Sequence, residues 1–125
     1  MTVSGTSEMI AGMSPRLRDG AWVFSGDAAR HGEAIATIAE DAPSLIVPAR
    51  DGEGPRMAWI TLDVFSDLEG VGLTAAVSTA LANAGIACNV VAGRSHDHLF
   101  VPEARAAEAM DILRARAMQE TGAER

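Results

Sequence analysis

Apolar residues recur along this chain in two rhythms, and the switches between them mark its elements. From Met57 to Phe65 the alternation is strict: Ile60, Leu62 and Val64 fall on one face, Trp59, Thr61, Asp63 and Phe65 on the other. That is the pattern of a half-buried strand. From Val71 to Ala84 the spacing turns helical, with stripes at Leu73, Val77, Leu81 and at Ala76, Ala80, Ala84. Gly85 stops this helix as a left-handed cap would. Ile86 to Val91 reads as a buried strand, Gly93-Arg94-Ser95 as a turn, and His98 to Val101 as a returning strand. Pro102-Glu103 opens a last helix, with Ala106, Ala109, Met110, Leu113 and Ala117 at its apolar positions and a disordered tail expected after Glu120.

The first half is patterned more weakly. Residues 1–5 are small and polar and are expected to fray. Ser7 is placed to cap a short helix carrying Met9, Ile10 and Met13, which Ser14-Pro15 ends. Ala21 to Phe24 predicts a strand, Ala29 to Glu40 a helix through Ala34, Ile35, Ile38 and Ala39, and Ser44 to Val47 a second strand. Arg50 to Pro55, with two Gly and a Pro, is a linker. The halves then read α-β-α-β and β-α-β-β-α. Both fit the α+β class, with helices packed on one face of an antiparallel sheet. The second contains the split βαβ order of ferredoxin-like folds, and a faint echo between the halves points to duplication.

Composition narrows the function. The 125 residues hold 48% hydrophobic and 22% charged side chains, enough for a core in one small domain or two very small ones. Net charge is −7, and all ten basic residues are Arg. That balance argues against binding nucleic acid by phosphate neutralisation. No apolar run approaches the ~20 residues of a membrane span. The N-terminus lacks a signal-peptide pattern. The single cysteine, Cys88, cannot build an internal disulfide framework. A cytoplasmic protein is expected.

Three groups of residues bear on chemistry. Gly70-Val71-Gly72-Leu73-Thr74-Ala75 matches the G-x-G-x-x-A dinucleotide fingerprint. The loop before it is too long for the tight turn that motif needs, and the chain is too short for two mononucleotide halves. A Gly-rich turn, or a small-anion site at a helix N-terminus, remain as readings. His96 and His98 share one face of a strand at a spacing compatible with metal, without a clear third ligand. Two imidazoles at a sheet rim is the plainer reading. Asp97 points to the opposite face with Leu99, where a carboxylate needs a cation or several donors. Cys88 reads as a small buried hydrophobe, and Trp22 and Trp59 as core or dimer contacts. Nothing assembles a nucleophile, a base and an oxyanion site.

The segments Asp67 to Thr74, Ala84 to Gly93 and His96 to Pro102 together resemble an ACT domain, of ferredoxin-like βαββαβ order. More narrowly, the chain resembles small bacterial proteins of unknown function with two ACT-like units in tandem. The resemblance runs from Trp59 to Leu113 and more loosely over residues 7–48. In the first half Ser14-Pro15 and Trp22-Val23-Phe24 stand where that family has Pro and a Tyr-Val-Phe-like strand, whereas Asp41-Ala42-Pro43-Ser44 departs from its Glu-Gly-Leu-Thr turn. The resemblance implies a divergent N-terminal unit over 7–54 and a C-terminal ACT domain over 55–118.

ACT domains are regulatory modules that bind amino acids or similar molecules, commonly between two such units. The second unit is also similar to the ACT modules of aspartate kinases and of animal cytosolic arginine sensors. The similarity implies that Val71, Gly72 and Leu73 supply backbone groups to a ligand, that Gly93 lies beside it, and that Asp97 faces its cationic group. The expected protein is a non-catalytic, cofactor-free amino-acid-binding regulator, a homodimer acting through a protein partner, with no nucleic-acid or membrane role. A ligand-free scaffold is the alternative, and a metal protein using His96 and His98 a further one.

Overall fold

The computed structural model describes residues 5–123. The elements are α1 (Thr6–Ala11), β1 (Pro15–Leu17), β2 (Trp22–Ser25), β3 (Ala36–Ile38), β4 (Ser44–Pro48), β5 (Met57–Leu62), α2 (Leu73–Asn83), β6 (Asn89–Ala92), β7 (Asp97–Pro102) and α3 (Ala106–Ala123). Short 3-10 helices span Ala28–Glu33 and Glu103–Arg105. Residues 1–4 of the segment expected to fray lie outside the described residues, and Gly5 is the N-cap of α1. The helix α3 runs past Glu120 to Ala123, so the expected disordered tail is helical that far, and residues 124–125 lie outside the described residues.

All seven strands join one antiparallel sheet in the order β3-β4-β2-β5-β7-β6, with β1 also on β5. In the second half α2 crosses from β5 to β6, and β7 returns between them, the split βαβ arrangement of a ferredoxin-like fold. Among the described residues no strand follows α3. The place on the free side of β5 is shared by β1, opposite Ile60, Thr61 and Leu62, and by Trp22 of β2, opposite Met57.

The alternation in β5 divides the sheet into two faces. Ala58, Ile60 and Leu62 pack with Leu99 and Val101 of β7 under the helices, against Leu73, Val77 and Leu81 of α2 and Ala109, Met110 and Leu113 of α3. Met9, Ile10 and Met13 from the N-terminal segment close this core. Gly85, at φ 71°, ends α2 in a Schellman motif: its N–H donates to Ala82 and that of Ile86 to Leu81. On the other face Trp22 meets Trp59 edge-to-face at 5.1 Å and Phe24 meets Phe100 at 5.7 Å. Phe24, Ile38 and Ile46, from one end of the sheet, line a cavity of about 50 Å³ with Val91 from the other end, so the sheet curls toward closure.

The first half differs from its expected pattern in three places. The helix expected over Ala29–Glu40 is a 3-10 helix followed by β3, and just before that strand the Ile35 N–H already donates to the Ile46 carbonyl at 2.9 Å. Gly32 and the β-branched Ile35, Thr37 and Ile38 disfavour a helix, and β4 offers an open edge. Buried Arg30 holds the 3-10 turn through Glu33, Glu53 and the Pro48 carbonyl. The strand β1 was not expected, because Pro15-Arg16-Leu17 holds one non-Pro apolar residue and too little alternation to mark a strand. Ser7 does not cap α1; its hydroxyl donates to Glu120 at 2.6 Å.

Between β2 and β4, Val23, Leu45 and Val47 form a second small core. Leu45 is fully buried, so Leu45→Ala is expected to cost about 2–5 kcal/mol. Because β2 and β1 both pair with β5, tryptophan fluorescence and far-UV circular dichroism should follow one shared urea transition in this variant. Two separated transitions would show that the N-terminal half melts by itself.

Candidate functional site

Ten residues, 63–72, connect β5 to α2. This is a broad loop, not the tight turn of a dinucleotide site. Its end, Gly72, has φ 106° and serves as N-cap without a side chain to offer. Among the described residues no side-chain hydrogen bond caps the first turn of α2. The backbone N–H groups there point outward with the positive end of the helix dipole behind them.

That turn forms one wall of a cavity of about 150 Å³. Gly72, Leu73, Gly93 and Asp97 all line it, together with Ser66, Asp67 and Leu68 of the loop, Thr74 of α2 and Met9 of α1. Val71 does not line it: its side chain is 74% exposed, and its carbonyl accepts from the Thr6 hydroxyl. The volume corresponds to about five waters, so the space suits a small metabolite.

Asp97 opens β7 on the helix side of the sheet, opposite Ala92 and Leu62. Among the described residues no cation and no donor engages its carboxylate. Partial burial pushes its pKa up, and neighbouring His98 opposes this only in part. A half-buried carboxylate therefore faces an uncapped helix start across a small cavity.

The two histidines part company. His98 lies on the aromatic face, where its Nδ1 accepts from the Trp59 indole at 3.0 Å and lies 3.1 Å from the Thr61 hydroxyl. Burial and the nearby Arg18 hold its pKa below the ordinary value. The Arg18 guanidinium stacks 4.0 Å from the Trp59 ring. His96 packs edge-on against Phe65 at 5.5 Å. Among the described residues no three His, Cys, Asp or Glu side chains gather as a metal site. Cys88 is half-buried, with its thiol pKa raised by burial.

The glycines have local reasons that the sequence did not reveal. A Cβ on Gly72 would lie 2.5 Å from Cγ2 of Thr6, and one on Gly70 would lie 2.8 Å from Sδ and Cε of Met9. The space above the loop glycines is taken by α1. A Cβ on Gly93 would meet the His96 carbonyl at 2.8 Å, inside the turn that joins β6 to β7. Met9 escaped the sequence reading because an apolar residue in a short helix signals core and nothing more. Ser66 and Asp67 belong to the loop but carry no spacing that marks them.

Comparison with known proteins places this geometry in context. The ACT-domain family profile matches residues 56–115. A protein of unknown function from Vibrio cholerae, for which a transport role has been suggested, is 39% identical over 86% of this chain and 92% of its own, with a TM-score of 0.73. A protein from Agobacterium tumefaciens is 20% identical over 83% of this chain and 87% of its own, with a TM-score of 0.59, and shares the fold. No protein of curated function matches the sequence. No helix among the described residues is long and apolar enough to cross a membrane.

The raised pKa of Asp97 has a signed consequence. Its contribution to stability is complete below the ordinary carboxylate pKa, about 3.9, and is lost as pH rises through the higher folded-state value. Asp97→Asn should therefore raise the melting temperature at pH 7, and the gain should vanish near pH 4. Equal melting temperatures at both pH values would show that the carboxylate has found a partner.

Proposed function

The chain belongs to the ACT-domain family, and we propose that it is a non-catalytic regulatory module that binds a small amino acid in the cavity between α2 and Asp97. ACT domains are regulatory small-molecule-binding modules. The observation that carries the choice of ligand is the pairing of opposite electrostatic needs. The open amides of Leu73 and Thr74 suit a carboxylate, and the unpaired Asp97 suits an ammonium or guanidinium group. An α-amino acid presents both charges a few ångströms apart. Asp67, on the same cavity, adds to the preference for a cationic end. In this reading Gly72 and Leu73 give backbone contacts, Gly93 and Asp97 line the opposite wall, and Val71 belongs to the rim.

The rim also supports binding between two ACT units. Phe65, Leu68 and Val71 are all exposed on the loop beside the cavity, and exposed apolar side chains grouped around a site favour a covering surface. We read the protein as a cytoplasmic homodimer whose association, or whose hold on a partner protein, shifts with ligand. Residues 7–54 are read as a divergent, incomplete first unit, since beside the strands and a 3-10 turn they bring only the short α1, where a full unit would pack two longer helices.

The ligand-free scaffold reading keeps one supporting observation: Phe24 and Ile38, both exposed, lie together on the aromatic face of the sheet away from the cavity. A thermal-shift screen of the twenty amino acids, with wild type and Asp97→Ala side by side, separates the two. At a hundredfold excess over Kd a ligand adds about 2.7 kcal/mol of stability, a shift of several degrees. The expected result is such a shift for one or a few amino acids, lost in Asp97→Ala. A flat wild-type response, with a dimer that Asp97→Ala leaves intact, would favour the scaffold.

A further inference from the structure

The ACT-domain match begins at residue 56, yet one wall of the cavity comes from far outside it. Met9 of α1 lines the space opposite Asp97, with its Sδ and Cε pressed on Gly70. Thr6, one turn earlier, fills the position above Gly72 and donates its hydroxyl to the Val71 carbonyl. Two residues of α1 thus hold three successive residues of the loop that starts α2. The side chain of Met9 is almost fully buried, and it faces the core and the cavity at once.

The position of α1 is set by packing and not by the helix itself. The helix has six residues and no side-chain N-cap, and a helix that short has little stability of its own. Among the described residues its side chains make two hydrogen bonds, from the Thr6 hydroxyl to the loop and from the Ser7 hydroxyl to Glu120 of α3. Just past the helix, Met13 and Ser14 accept from the N–H groups of Val64 and Asp63, and the chain continues directly into β1 on β5. Met9 and Ile10, with Met13 just beyond, are almost fully buried in the main core, so tertiary packing seats α1 over the loop.

We infer that α1 is a wall of the ligand site supplied from outside the matched module, and that Met9 is the residue that limits the size of the molecule the site admits. This rests on the amino-acid-binding reading above and adds to it a specificity-determining element from outside the ACT module. The cavity of about 150 Å³ is the space left with Met9 seated. Shortening that side chain extends the cavity toward Gly70, where a longer ligand side chain would lie against apolar atoms.

The test is calorimetric titration of the full chain with glycine, alanine, valine, leucine, lysine and arginine, using wild type, Met9→Ala and Met9→Leu. Circular dichroism confirms that each variant is folded, and Met9→Val is read in place of Met9→Ala if the latter is not. Met9→Ala should shift relative affinity toward the longer side chains by about tenfold or more, the scale of discrimination set by small volume changes in an apolar pocket. Met9→Leu, which keeps the bulk, should retain the wild-type order. A merely structural Met9 would weaken every ligand in parallel or none at all; that result overturns the inference and leaves the proposed function standing. If wild type binds no amino acid while Met9→Ala does, α1 is a wall seated tightly enough to close the site, and the inference holds. If neither binds any of the six, the inference and the amino-acid reading both fall.

Discussion

The fold depends on β5 being paired along both edges. On one side it runs against β7 in unbroken register from Met57 to Leu62. On the other it accepts β1 and the start of β2, which come from the opposite half of the chain. Its side chains alternate between the core under the helices and the aromatic face. A one-residue slip of β5 would drive Ile60 and Leu62 out of the core and Trp59 into it. It would also move the C-terminal end of β5, where Leu62 stands opposite Asp97. The site's geometry is thus set by sheet register before any side chain of the loop contributes.

The loop after β5 shows how backbone requirements and site requirements become entangled. Gly72 needs a positive φ to turn the chain into α2, and it needs an empty Cβ position because Thr6 sits there. Both demands are met before a ligand is considered. A glycine at such a place is therefore weak grounds for ligand contact by itself. The stronger indication is Asp97, a carboxylate that is partly desolvated in the fold and has no partner among the described residues. A protein keeps such a residue at a cost in stability, and its lack of an internal partner directs attention to an external one.

Legibility in the sequence followed the strength of local pattern. The second half was readable because β5, α2 and α3 each repeat one period long enough to dominate, and Gly85 punctuates them as its left-handed geometry requires. The stretch Ala34 to Ala39 was misread because small apolar residues at helical spacing are equally content as a short edge strand once β4 is beside them. Three-residue β1 has too little pattern to be seen. At the site, Gly72, Leu73, Gly93 and Asp97 could be named from family resemblance, and they do line one cavity. Met9 could not, since its contact with Gly70 joins residues 61 positions apart and no local rule reports such a meeting.

The hydrogen bond between Ser7 and Glu120 has a consequence for the order of events in the cell. It joins the first helix to the last, across 113 positions. During synthesis β1 has no strand to pair with until β5 exists, and α1 has no seat until α3 has formed. Contacts so distant in sequence form late, because closing the intervening chain is entropically costly. A nascent chain that has folded β5 through β7 would carry the loop and Asp97 with the cavity still open to solvent. The wall over the cavity arrives last, so a fully closed site is a property of the finished protein alone.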